Sequence, residues 1–92
     1  MIKSFAGKNT ERLFNNVFVP RFSGFERAAR RKLLILHGAE QLTDLMVPPG
    51  NRLEKLVGNR KRQYSIRIND PWRICFSWKG TDAFDVEIVD YH

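Results

Sequence analysis

The sequence predicts an α+β domain in which helices cover one face of a small antiparallel sheet. Three observations carry this. Apolar residues recur at helical spacing through the first half of the chain, and strictly at every second position from Tyr64 onward. Turn signals at Asn69-Asp70-Pro71 and Lys79-Gly80-Thr81-Asp82 then divide the second region into a three-strand meander. Each of those strands has one apolar face, which needs a cover, and the N-terminal helices are the available cover.

The elements follow in order. Ile2–Phe5 alternates apolar and polar residues and reads as a short first strand. Asn9 or Thr10 can cap a first helix that aligns Leu13, Phe14, Val17 and Phe18, and Pro20 ends it. Ser23-Gly24-Phe25-Glu26 is a capping-box pattern opening a second helix, whose stripe is Phe25, Ala28, Ala29, Leu33 and Leu36. Gly38 stops it, while Arg27, Arg30 and Arg31 lie off the stripe. That basic face either is simply solvated or meets a nucleic acid or a protein partner. Leu42, Leu45, Met46 and Val47 precede a Pro48-Pro49-Gly50 break, with Met46 expected in the core. Residues 51–58 form a short strand or extended loop laid across the sheet, and residues 59–63 a basic turn. Strands then present Tyr64/Ile66/Ile68, Trp72/Ile74/Phe76/Trp78 and Phe84/Val86/Ile88 to the core.

The chain has 92 residues, which suits a single domain with one modest core. Sixteen Lys and Arg against ten Asp and Glu leave a net charge of +6. Such a balance favours a polyanionic partner, because phosphate neutralisation releases condensed counterions. Residues 51–73 hold seven of the basic groups against Glu54 and Asp70, whereas residues 74–92 hold only Lys79 against four acids. The lone Cys75 excludes an internal disulfide and reads as a buried structural thiol. His37 and His92 have no metal-ligand spacing around them, and His37 is expected to interact with a helix dipole. No signal peptide or membrane-spanning stretch is evident, so the expected location is cytoplasmic.

The hairpin register supplies a candidate site. A tight turn at residues 69–71 sets Ile68 against Trp72, Arg67 against Arg73 and Ile66 against Ile74. Opposed residues share a face, so two arginines stand together opposite the apolar pairs. Their like charges fit an anion held between them, and guanidinium groups suit phosphate because each donates two parallel hydrogen bonds. Alternatively, one arginine pairs with Glu87 or Asp85 on the next strand.

The blocks Pro48–Glu54, Ser65–Asp70, Trp72–Phe76 and the closing Asp90-Tyr91-His92, in this order, resemble the HigB-type toxins of bacterial toxin–antitoxin modules, within the RelE/ParE superfamily. The resemblance runs over residues 1–92 and is densest over 42–78. It implies a RelE-like fold and a ribosome-dependent endoribonuclease that cleaves mRNA without a cofactor or metal. It also implies neutralisation by a small helix-turn-helix antitoxin of HigA type, contact with operator DNA only through that complex, and no membrane association. Carried over by position, Glu54 is the general base and Arg73 stabilises charge on the phosphate. His92 is the general acid or an orienting donor, Tyr91 stacks on a base or bonds the phosphate, and Asp90 orients a neighbour. Arg67 joins them through the register, and Arg52, Lys55, Arg60, Lys61 and Arg62 are further candidates for holding RNA. The chain departs from the family at Glu54, where some relatives carry His. It departs again at Lys55, where Pro is frequent, and at Val57, where a basic residue is frequent. The alternative is a ParE-like relative that binds gyrase without cutting RNA.

Overall fold

A computed structural model describes residues 1–60 and 62–90. Two helices, α1 (Lys8–Phe14) and α2 (Glu26–Gly38), precede four strands, β1 (Glu54–Lys55), β2 (Gln63–Arg67), β3 (Trp72–Lys79) and β4 (Asp82–Asp90). The strands form one antiparallel sheet in sequence order. The meander is therefore as expected, and the extended 51–58 segment adds β1 as a short fourth strand beside β2.

The helices lie on the apolar face. Ala29, Leu33 and Leu36 of α2 are buried in one cluster with Leu13, Ile66, Ile74, Phe76 and Val86. Burying a side chain of this size stabilises the fold by roughly 1.5–3 kcal/mol relative to exposure. Trp72 is a packing residue, stacked on Phe25 at 4.7 Å between ring centroids and edge-on to Phe22 at 5.7 Å.

Several local readings are revised. The first helix ends at Phe14, because Asn16 adopts a left-handed φ of 66° that asparagine tolerates and that no helix can continue. Val17 and Phe18 are consequently exposed, at 48% and 61%. Ser23 does not cap α2, whose N-cap is Phe25; Glu26 is the first helical residue and pairs instead with Arg30 at 3.7 Å. A bulge where Cys75 and Ser77 meet β4, with Asp85 at φ 54°, shifts the alternation by one residue. Ala83 thereby enters the core in place of Phe84, which is only half-buried. Leu45 rather than Met46 is buried, since the 42–46 segment closes into a 3-10 turn, and the amides of the two residues before it, Glu40 and Gln41, donate to Asp44 Oδ2.

The N-terminal segment does not form a full strand. It runs parallel to β4 through bridges Ile2–Ala83 and Phe5–Val86. His37 at the end of α2 ties it down by accepting the amide of Ile2 at 3.1 Å, and packs edge-on against Phe14. Its place in the last turn of α2 is the one a helix dipole favours, and the hydrogen bond to Ile2 adds a tie to the N-terminal segment. Among the described residues, no helix is long and apolar enough to cross a membrane.

Asn51 is the polar anchor of the connection between α2 and β1. Its side chain is fully buried, donates to the Leu45 and Val47 carbonyls at 3.2 Å each, and accepts the ammonium of Lys32. An orphaned buried polar group costs roughly 1–3 kcal/mol. Asn51→Ala is therefore expected to lower stability by about 2 kcal/mol, read as a fall in Tm of roughly 10 °C by thermal denaturation. A loss below about 0.5 kcal/mol would show that water replaces the amide without cost.

Candidate functional site

The observed register sets Ile66 against Ile74 on the helix-covered face and Arg67 directly against Arg73 on the face away from the helices, as the turn requires. The same pairing aligns Glu54 with Ser65, Ser65 with Cys75 and Cys75 with Glu87 across all four strands. Paired residues share a face. One row across the sheet is therefore Glu54–Ser65–Cys75–Glu87, and the next is Arg67–Arg73–Val89.

This face is not simply solvated. Ser65 and Cys75 are fully buried and Arg73 is 8% exposed, with the Arg52 carbonyl and the Glu54 carboxylate against its guanidinium. Arg73 is held from several directions. Its Nε donates to Ser65 Oγ at 2.8 Å, and its Nη2 donates to the Arg52 carbonyl at 2.6 Å. The Glu54 carboxylate lies 3.7 Å from Nη2 and is itself more than half exposed. The pair thus combines an immobilised guanidinium on the floor with an accessible carboxylate at the rim.

Arg52 presents its carbonyl to Arg73 from a left-handed conformation, φ 45° and ψ 58°, at the end of the Pro49–Asn51 turn. A non-glycine residue held there carries conformational strain of roughly 1 kcal/mol or more, supported by its neighbours. Asn51, one position earlier, supplies that support.

Arg67 finds its partner within its own turn rather than on β4. Its Nε donates to Asp70 Oδ1 at 3.2 Å, and this hydrogen bond, with the Arg67 charge and more distant Arg52 and Arg73, holds the Asp70 carboxyl below its ordinary 3.8. Glu87 pairs with Arg60, whose Nη2 reaches Glu87 Oε1 at 3.0 Å and whose Nη1 donates to Gln63 Oε1 at 3.1 Å. The Arg60–Glu87 pair spans the sheet, since Arg60 precedes β2 and Glu87 lies on β4. Lys32, on α2, has its ammonium held below the usual value by burial and then by the nearby charges of Arg31 and Arg67.

The structure brings together Glu54, Arg73 and the Arg52 backbone, with Arg67 alongside. Asp90 is the last residue of β4 and opposes Trp72, one position after Val89, the partner of Arg73. Lys55 and Arg62 are exposed, and Arg62 stands at a left-handed φ of 76° in the turn before β2. Lys61, Tyr91 and His92 lie outside the described residues. The sequence reading missed Ser65, although it shares the parity of Arg67 and Arg73, and missed Asp70, three residues from Arg67 in the turn.

A family model described as the RelE-like toxin of type II toxin-antitoxin system HigB matches residues 3–92. Toxin HigB-1 of Vibrio cholerae is 50% identical over 56 residues, which is 61% of this chain and 59% of that protein. An uncharacterised protein of Haemophilus influenzae is 32% identical over 61 residues, 66% of this chain and 60% of its own length. The chain thus spans about 60% of the length of the curated relatives it matches. With a match over nearly its whole sequence and an α+β fold of helices on an antiparallel sheet, the chain belongs to the RelE-like HigB toxin family of type II toxin–antitoxin systems.

Proposed function

We propose that this protein is a toxin that cleaves mRNA on the ribosome by attack of a ribose 2′-hydroxyl on the adjacent phosphate. The observation that carries the reading is the Arg73–Glu54 pair at 3.7 Å, in which the cation is fixed and the carboxylate is accessible. Glu54 takes the proton of the 2′-hydroxyl, and the 2′-oxygen attacks phosphorus. Arg73 stabilises the negative charge that builds on the non-bridging oxygens, and its existing hydrogen bonds mean that no reorganisation is needed as the charge develops. The 5′-oxygen leaves with a proton from His92, giving a 2′,3′-cyclic phosphate and a 5′-hydroxyl. Tyr91 holds the flanking base or phosphate, and Asp90 orients the tail. The reaction uses acid–base and electrostatic catalysis by side chains alone.

Such a small set of groups suffices when the ribosome holds the message in line for attack. The exposed Arg27 and Arg31 on α2, and Lys55 and Arg62 around β1, supply charge for rRNA. A helix-turn-helix antitoxin of HigA type is the partner that neutralises the protein and carries it to operator DNA.

The direct test adds purified protein, with and without His92, to programmed ribosomes and maps mRNA ends by primer extension. Cuts should fall only in ribosome-bound message and should weaken by roughly 10²-fold without His92, the scale of a lost proton donor. Intact mRNA with the full-length chain would overturn the reading and direct attention to gyrase supercoiling.

Two substitutions separate chemistry from architecture. Glu54→Gln should lower the cleavage rate by about 10²–10⁴-fold while leaving stability within about 0.5 kcal/mol, because Glu54 is largely exposed. Arg73→Gln should lose cleavage and also about 1–3 kcal/mol of stability, since the Arg52 carbonyl loses its donor. Equal cleavage by wild type and Glu54→Gln in single-turnover kinetics would remove Glu54 from the mechanism.

Asp70→Asn should release Arg67 and tighten binding of a short RNA severalfold at neutral pH, measured by fluorescence anisotropy. The depressed carboxyl of Asp70 also sets a sign for stability. Its contribution is fully present above 3.8 and is lost as pH falls through the lower folded value. The stability difference between wild type and Asp70→Asn should accordingly close only in strong acid; a difference that closes above pH 3.8 would contradict the pairing with Arg67.

A further inference from the structure

A second basic feature lies across β4 from the Glu54–Arg73 pair. A cleft of about 520 Å³ opens between α1 and the outer end of β4, with Lys8, Arg12 and Arg21 on one side and Glu87, Val89 and Asp90 on the other. Val89 is the direct cross-strand partner of Arg73. Cross-strand partners have Cβ atoms roughly 5 Å apart, so the backbone of β4 that lines the cleft is adjacent to the strand that carries Arg73. The Arg73 guanidinium itself reaches the other way, to Ser65, Arg52 and Glu54.

Its charges are unevenly committed. Glu87 is already paired with Arg60 at 3.0 Å. By contrast, among the described residues Lys8, Arg12 and Arg21 make no ion pair with a carboxylate. Arg12 has only a long contact to Asn9 Oδ1 at 3.5 Å, and the guanidinium of Arg21 lies 5.3 Å from the centre of the Trp72 ring. Stacking on Trp72 orients Arg21 without neutralising it. Three cations from two separate elements therefore converge on one concave surface with their hydrogen-bond donors available.

We propose that this cleft is a second phosphate-binding site, which takes the backbone of single-stranded RNA beside the scissile nucleotide. The proposal rests on the nuclease reading for its register, and goes beyond it in assigning Lys8, Arg12 and Arg21. RNA is the occupant the observations favour because three cations from two elements line one concave surface of a chain with a net charge of +6, and that surface lies beside β4, the strand next to the one that carries Arg73. The phosphates of a single strand match such a cluster of cations.

Removing phosphate contacts has a quantitative signature: for single strands, the slope of log affinity against log salt falls in magnitude by about 0.7 for each phosphate no longer neutralised. The experiment measures anisotropy of a short fluorescein-labelled single-stranded RNA from about 50 to about 200 mM salt. It compares wild type, the Lys8→Gln/Arg12→Gln pair, the same pair with Arg21→Gln, and Lys79→Gln as an exposed cation remote from the cleft. The pair should lower the slope by about 1.4 and the triple variant by about 2, with at least a tenfold loss of affinity, while Lys79→Gln stays at the wild-type slope. Unchanged slopes in both cleft variants, or a wild type that does not bind the RNA, would overturn the proposal. Unchanged RNA slopes with lost binding of a poly-glutamate probe would also overturn it, and assign the cleft to a protein contact. The ribosome assay on the same variants keeps the two readings apart. Message cut by wild type together with unchanged slopes sinks the cleft alone, whereas reduced slopes with uncut message support the cleft as an RNA site and sink the nuclease.

Discussion

The burial of the Arg73 guanidinium is the constraint around which the polar side of this protein is arranged. A charge withdrawn from water costs several kcal/mol unless hydrogen bonds and a counter-charge replace the solvent. Here the replacements come from three places in the chain: the Ser65 hydroxyl on β2, the Arg52 carbonyl before β1, and the Glu54 carboxylate on β1. Satisfying one cation therefore fixes how the Arg52–Lys55 segment crosses the sheet. It also explains why a two-residue strand with both side chains exposed keeps its place, since β1 has little apolar burial of its own.

The anchor extends further back. Arg52 can offer its carbonyl only from a left-handed backbone, and Asn51 next to it is pinned by two carbonyls of its own segment and by Lys32 from α2. A helix on the apolar face thus holds a loop that shapes the opposite face. Lys32 tolerates this position at the cost of a depressed pKa, because its charge is partly withdrawn from water and sits near Arg31 and Arg67.

Much of this fold was legible because a period of two is a direct imprint of the pleat. Tyr64, Ile66, Trp72, Ile74 and Phe76 declare both the strands and the covered face, and the Asn69–Pro71 turn fixes the Arg67–Arg73 pairing. Errors arose where local signals competed. Ser23 and Glu26 have capping-box spacing, but the Pro20–Phe22 turn delays the helix start to Glu26. Phe84 continued the alternation on paper, yet the bulge at Asp85 reverses it, and a bulge at a non-glycine residue leaves no sequence mark. The site was legible in its pairing and not in its environment. Nothing in the alternation reveals that Ser65, Cys75 and Arg73 on the face opposite the core are buried, because the groups against Arg73 come from the Arg52–Glu54 segment, which has no regular pattern. The Lys8–Arg21 cleft was invisible for a related reason: its two sides join residues some eighty positions apart.

The N-terminal segment has a consequence for how the molecule meets others. An exposed sheet edge is a template for further strands, and proteins that must stay soluble at high charge and small size have to close it. On β4, the outward amides of Ala83, Val86 and Ile88 donate to Met1 O, Ser4 O and Thr10 Oγ1, and that of Asp85 donates to Ser4 Oγ. At the other edge, β1 is only two residues long. Among the described residues neither edge offers a continuous ladder for a foreign backbone, which leaves side chains, where charge and shape discriminate between partners, as the surface for recognition in place of main-chain pairing, which accepts almost any extended peptide.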